Sequence, residues 1–600
     1  MADKTTATMK PTLGLTGLTM NAMALIAPGA FLWLTYGQQC LYGAPMAGSA
    51  MWFGILIALS LCLATAISYA ELSKLYPGAG SSYVFAEQAF LRKKKAYKWS
   101  RIAKFVIGWA SHLYYWIYPG VMVGVTAILC GYVMGILFPA VFSSAVPSPL
   151  FMYGFCIVFA LGVSYIAYRG VAGATAVNVA INVIQITALL IFSAIALAYR
   201  VNHPQGSVGY TLNPDGVPTN KVIAMDKDGN PLKDAAGHYK YTGDFKLDYS
   251  PAVAIDKGSD PKNPTDTFEF HSTAKSVVAP HGMSFALIQA CIAILILVGF
   301  ESVSAMGEEA KNAKRDIPIA IILSLVIQGA FCYLIEYFCA NYFLNSGYTM
   351  TAASGSAAPI GDMMQITGTW LFGSAAAGKA YMLVQAFTVF LALIGTTLSC
   401  ISTGARVTYA MGRDEEMGAH FGILHEKNLT PARSIWTLGI ISAVIGIISV
   451  AFYFCNGAAQ TDATLASLPH NIWYSFGLIK HDTAALIPQS MLVVTLASNF
   501  GTFLLYMLTN FIAIVAFVEH QSFNTFKHVV IPVFGLLANL ACMLFYIIGP
   551  FSVAGMSWKE PFIALGVAAI WGIWGAIYFV RRSKATGKPA LLTTAPSIGT

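Results

Sequence analysis

Charged residues are scarce: Asp, Glu, Lys and Arg together make up 10% of the 600 residues. Soluble globular proteins carry about 25%, so most of this chain's surface cannot face water. Cysteine is sparse too, with 10 residues that lie almost entirely in apolar runs, which excludes a small disulfide-stapled scaffold. The polar segments contain no HExxH, no GxSxG and no Cys/His cluster. LYPGAGSSY (Leu75–Tyr83) lacks the lysine of a phosphate loop. No enzyme activity, metal or organic cofactor is expected.

What is present is hydrophobic: 56% of the chain. A helix crosses about 30 Å of hydrocarbon at about 1.5 Å per residue, so about 20 apolar residues make a span. Twelve segments qualify: Leu18–Tyr36, Ala50–Tyr69, Val106–Leu137, Pro149–Tyr168, Thr175–Tyr199, Phe285–Met306, Ile317–Phe343, Ala380–Cys400, Ile435–Tyr453, Pro488–Phe517, Val529–Ile548 and Ile563–Val580. All 35 Lys and Arg fall outside them. With the amino terminus in the cytoplasm, 23 lie on the inner side and three, Lys379, Lys480 and Lys559, on short outer loops. That bias orients the chain with both termini cytoplasmic. The densest basic run, Leu91–Lys104, reads as a topology anchor, and the net charge of +8 is therefore no nucleic-acid footprint.

One long outer loop, residues 200–283, is the sizeable soluble piece. Its turns and short segments such as KVIAM and HYKYTG predict β-hairpins. Asp226, Asp228 and Asn230 make a turn rather than a calcium loop, because Pro231 stands where an EF-hand needs glycine.

Of 27 acidic residues only Glu301 and Glu336 fall inside spans, and of 11 histidines only His112. Ionisable groups are costly in hydrocarbon, so each is a functional candidate facing the bundle interior. Glu301 reads as a proton carrier or a counter-charge for a cationic solute, against a structural, protonated glutamate. Glu336 shares a helical face with Cys332 and Cys339, but no fourth ligand accompanies them, so a packed neutral side chain is expected. His112 stands one turn before Tyr115; it is structural or part of a proton pathway.

The first span contains Ala27-Pro28-Gly29-Ala30, where Pro28 lacks an N–H and Gly29 permits unwinding; the sixth contains Gly299. Two interrupted helices five spans apart match an inverted repeat in which freed backbone groups hold a solute at mid-membrane.

Three stretches now carry a resemblance. ELSKLYPGAGSSYVFAEQAF (Glu71–Phe90), GFESVSAMGEEAKNAKRDIP (Gly299–Pro318) and ARVTYAMGRDEEMG (Ala405–Gly418) are similar, in sequence and order, to motifs of the amino acid–polyamine–organocation (APC) superfamily. The resemblance implies an all-α membrane protein of 12 helices: two inverted five-helix repeats of LeuT type plus two peripheral helices, with a small β-rich insert. Its parts would be residues 1–199, 200–283, 284–520 and 521–600.

There are three departures. Pro28 replaces a donor in the first break. Leu295 stands where some exchangers of cationic solutes carry a stacking Trp. Gln185 stands where proton-coupled members often carry Lys. The expected function is secondary transport of an amino acid or related amine by alternating access in the cell membrane. Ala27, Pro28, Gly29, Ala30, Leu295, Ile296, Val298 and Gly299 would line the solute site. Glu301, Tyr115, Tyr506, Gln185 and His112 would serve coupling or gating, with H+ or Na+ and symport or exchange left open. Arg406 and Arg413 would pair with acidic loop residues when the inner gate closes. The alternatives are a polyamine or cationic amine carrier, and a solute sensor that does not transport. The expected partners are the solute and the lipid bilayer, and no nucleic acid.

Overall fold

The computed structural model describes residues 9–41, 50–94, 96–142, 149–203, 206–211, 253–255, 267–272, 278–280, 282–344, 348, 353, 356, 358–451, 489–553 and 556–593. Seventeen α-helices are used below: α1 Leu15–Ile26, α2 Pro28–Leu41, α3 Met51–Leu75, α4 Ser82–Leu91, α5 Ser100–Tyr115, α6 Tyr118–Leu137, α7 Pro149–Tyr168, α8 Val171–Asn202 and α9 Met283–Ala293 in the first part. There follow α10 Ala313–Leu325, α11 Leu334–Phe343, α12 Pro359–Phe372, α13 Ala375–Arg413, α14 Ala432–Ala451, α15 Gln489–Phe517, α16 Ile531–Ile548 and α17 Lys559–Thr586. Among the described residues, eleven helical stretches are long and apolar enough to cross a bilayer. The remaining expected span, the first, is divided between α1 and α2.

The first and the sixth spans are both interrupted. The stretches around α5–α6, α13 and α15 are the most enclosed, with 67% of their apolar windows buried, whereas α16 and α17 have 33% and 17%. The last two helices are therefore peripheral. Their exposed Leu537, Ile570, Ile573 and Trp574 form an apolar exterior suited to lipid.

Two expectations change in detail. The third span is not continuous: α5 ends at Tyr115 and α6 restarts at Tyr118. Pro119 explains the interruption, since its ring clashes with the carbonyl four residues earlier, at Tyr115. The eighth span runs 39 residues as α13, far beyond the apolar run, and Ser374 caps it by accepting from the Ala377 N–H at 3.2 Å.

In the insert, β1 (Gly206–Thr211), β2 (Val253–Ile255) and β3 (Thr267–Ser272) form an antiparallel sheet in the order β1-β3-β2. Phe270 is in register with Val208 on one side and Ala254 on the other. KVIAM, HYKYTG and the Asp226–Asn230 turn lie outside the described residues.

Candidate solute site between two broken helices

Helix α1 stops at Ala27, which adopts a left-handed conformation (φ 35°, ψ 72°) while its N–H still reaches the Met23 carbonyl at 3.1 Å. Pro28 then opens α2 at the position where a missing N–H costs nothing. A broken helix leaves carbonyls on one side and amides on the other without partners. The carbonyl side is capped by neighbouring side chains: Gln328 Nε2 donates to Met23 O (3.2 Å), Thr396 Oγ1 to Ala24 O (3.0 Å) and Tyr333 OH to Ile26 O (3.0 Å). Gln328 and Tyr333 sit in a π-helical stretch, Val326–Tyr333. Wider winding brings residues five apart towards one face, which an α-helix would not do. On the other side of the break, the first-turn amides of α2, at Gly29 and Ala30, form the positive end of a helix dipole.

The sixth span loses α-winding earlier than Gly299. Helix α9 ends at Ala293, a 3-10 turn covers Ile294–Ile296, and a second 3-10 stretch covers Phe300–Met306. Gly299 between them has φ 128°, open to glycine but strained for other residues. A Cβ there would also meet Leu25 Cγ at 2.9 Å and the Ile26 nitrogen at 3.1 Å. The two breaks are thus in direct contact, and the gap between them is closed by Leu25 and Ile26. Ile296 and Val298 are buried and Leu295 is half-buried. Their neighbour Leu297 packs towards Gly329 of the seventh span.

Glu301 is fully buried beside the break. Tyr115 OH donates to its Oε1 at 2.9 Å, Tyr506 OH to its Oε2 at 2.6 Å, and the Gly299 N–H to the same Oε2 at 3.0 Å. One carboxyl group therefore ties together the third, sixth and tenth spans. Tyr69 stands edge-on to Tyr506, with ring centroids 5.9 Å apart, and hydrogen-bonds Ser82, extending the cluster to α3 and α4.

His112 is not brought into this cluster. Its Nε2 lies 3.1 Å from Thr408 Oγ1 of α13 and its ring 4.7 Å from that of Trp116. Gln185 lies beside Gly29, its Oε1 3.4 Å from where a Cβ would stand, and donates to Asn182 Oδ1 at 2.7 Å. A chain of neutral amides continues from there. Asn182 donates to Met20 O, Asn178 to Asn21 Oδ1 and Ser399 Oγ, and Gln328 to Asn182 Oδ1. These bonds join the first, fifth, seventh and eighth spans. Sequence reasoning missed them, because Asn and Gln inside apolar runs carry no charge to mark them; their clustering at the level of the break was the available signal. Glu336 is fully buried, and neither of its oxygens finds a donor among the described residues. No group of three metal-ligating side chains exists among the described residues.

On the side carrying the basic turns, the three sequence motifs meet. Gly307 lies on the Pro77-Gly78 turn so closely that a Cβ would fall 2.3 Å from the Gly78 nitrogen. Ser81 and Ser304 share a hydrogen bond, and Tyr83 donates to Asp414 at 2.8 Å. Arg406 grips Glu309 with two bonds, Nε–Oε2 at 2.7 Å and Nη2–Oε1 at 2.8 Å. Arg413 pairs with Glu308 at 2.9 Å. The Glu309 carbonyl in turn accepts from the Thr12 and Leu13 amides, and Lys311 N–H donates to Leu13 O, so the segment before α1 is pinned to the segment after the sixth span. This end of the bundle is closed.

A sequence profile described as amino acid permease matches residues 12–574. The chain is 23% identical over 453 residues to the branched-chain amino acid permease BcaP of Bacillus subtilis, covering 73% of this chain and 75% of that protein. Identity to BcaP of Lactococcus lactis is 32% over 152 residues, 25% of this chain and 30% of that one. Identity to the low-affinity putrescine importer PlaP of Escherichia coli is 25% over 395 residues, 64% of each. Among solved structures, MhsT in complex with L-phenylalanine aligns with a TM-score of 0.48 at 16% identity, covering 88% of this chain and 97% of that one.

Proposed function

The chain belongs to the amino acid permease family, and from that premise we propose that it carries a neutral, aliphatic L-amino acid across the cell membrane by alternating access. One observation carries this reading: the break at Ala27 starts a new helix, α2, whose first-turn amides have no carbonyl of their own helix to reach, while the carbonyls at the end of α1 are capped. A substrate carboxylate fits the amides of Gly29 and Ala30. The ammonium group fits the irregular backbone around Leu297 and Val298. Leu25, Ile26, Val298 and Phe300 offer apolar surface for the side chain, and their contact corresponds to a closed state that must part to admit solute. The two branched-chain amino acid permeases among the relatives support an aliphatic substrate.

An amine carrier is the second reading, favoured by PlaP and by the presence of an acid, with no Lys or Arg, in the sixth span. Against it, the Glu301 carboxyl already accepts three hydrogen bonds from the protein itself. We assign Glu301 to proton coupling instead, with the basic turns facing the cytoplasm. In proteoliposomes, labelled L-leucine uptake should be competed by L-valine and L-isoleucine but not by isoamylamine, which lacks the carboxylate. Uptake of putrescine insensitive to leucine would replace this reading with the amine one.

A further inference from the structure

We infer that the cavity between the far end of α8 and helix α12 is a second binding site, for an organic ammonium ion with an aromatic or aliphatic body. The cavity lies at the end of the bundle opposite the basic turns; its helix α12 packs on the outer half of the first broken span, Gly361 against Trp33 of α2, but no residue of either break lines it. It measures about 530 Å³ and is lined by Tyr199 and His203 of the fifth span's end and by Asp362, Gln365, Ile366, Thr369 and Trp370 of α12. That volume falls in the range that encloses small molecules. The α12 residues recur at helical spacing, so one face of that helix is turned to the cavity.

The chemistry of the wall selects a cation. Trp370 stands edge-on to Tyr199, with centroids 5.5 Å apart at 89°, and His203 stacks on Tyr199 at 4.2 Å. Together they make an aromatic corner of the kind that attracts ammonium groups. Asp362 supplies the charge. Its Oδ2 accepts from Tyr348 OH at 2.8 Å and from Ser356 Oγ, two neutral donors that fix the carboxylate without neutralising it. Among the described residues no Lys or Arg stands within ion-pair distance of Asp362. Burial pushes its carboxyl above the usual range, against the opposing effect of the Ser356 and Tyr348 hydroxyls. A carboxylate half-withdrawn from water, with no Lys or Arg beside it among the described residues, gains most from a ligand that brings a positive charge. Arg200, next to Tyr199, is fully buried and does not line the cavity. An anion would meet Asp362, and a neutral ligand would leave the carboxylate uncompensated.

The test uses the purified full chain in lipid nanodiscs and tritiated 2-phenylethylamine at mildly alkaline pH. Saturable binding is expected that excess L-leucine does not displace and that 2-phenylethanol, the uncharged analogue, does not compete. Asp362→Asn and Trp370→Leu should each weaken it by at least about tenfold, with Trp370→Phe near wild type. Thermal unfolding of each variant identifies any that fails to fold; if Asp362→Asn does so, the Trp370 pair carries the test. Absence of saturable binding, equal competition by the alcohol, displacement by leucine, or folded Asp362→Asn and Trp370→Leu variants that bind as wild type would overturn the assignment.

Discussion

At the scale of single residues the account rests on Glu301 and Gly299. The Glu301 carboxyl accepts from two tyrosines and one backbone amide on three different spans. Protonation turns one accepting oxygen into a donor, so the tyrosine facing it must reverse its hydroxyl and accept, or lose the bond, and either change alters the tie between the spans. Glu301→Gln is therefore expected to flatten the dependence of uptake on pH between mildly acidic and mildly alkaline solution while the protein stays folded. Unchanged pH dependence in that variant would reject the coupling role. Tyr506→Phe removes a bond to a carboxyl group, a loss of about 1.5–3 kcal/mol if Glu301 is ionised, and should lower the unfolding temperature more than Tyr69→Phe, whose partners are hydroxyls. Gly299→Ala forces a side chain into a left-handed conformation and onto Leu25, which is expected to abolish uptake and destabilise the fold by about 1–3 kcal/mol. Glu301 was legible in the sequence because a lone acid in an apolar run has few places to hide. Tyr115 and Tyr506 were grouped with it as coupling or gating residues, and the structure brings all three together. The amide chain from Asn21 to Gln328 was not legible, since it depends on which faces of four helices meet.

At the scale of elements, the two interruptions differ in how openly the sequence announces them. Pro28 removes a donor and fixes the break to one residue. In the sixth span, winding is lost from Ala293 onward through β-branched residues that a periodicity argument assigns to a helix as readily as to a 3-10 turn. The π-helical stretch Val326–Tyr333 was invisible for a similar reason: nothing in VIQGAFCY breaks an α-helix, and the extra residue is held by Gln328 and Tyr333 capping α1. Tyr333→Phe should consequently impair solute binding more than overall stability, because it uncaps the Ile26 carbonyl at the break. The closed basic end was partly legible, since Arg406 and Arg413 were expected to find acidic loop partners. The two pairs differ in burial: the side chains of Arg406 and Glu309 are 5% and 4% exposed, those of Arg413 and Glu308 42% and 31%. Truncating either member of the buried pair to Ala should cost about 3–5 kcal/mol, because the other charge is stranded. The exposed pair should contribute about 0–1 kcal/mol in a double-mutant cycle of unfolding free energies.

At the scale of the whole molecule, the composition placed the chain in a membrane, the positions of its apolar runs anticipated most of the helical stretches, and the family agrees with the one its three motifs resemble. What the composition could not supply was the state of the bundle, closed at the basic end by the Glu309–Arg406 clasp and the strand-like pairing of Leu13 with Ala310. Nor could it show the break region drawn shut around Leu25, Ile26 and Gly299. Alternating access requires both closures to open in turn, with the solute held where the two helices lose their winding. Photo-leucine, which carries a diazirine in its side chain, reads that location directly. On illumination of the protein in proteoliposomes, the account predicts cross-links in peptides spanning residues 25–32 and 294–301, suppressed by excess L-leucine. Leucine-protected cross-links confined to other segments would contradict it.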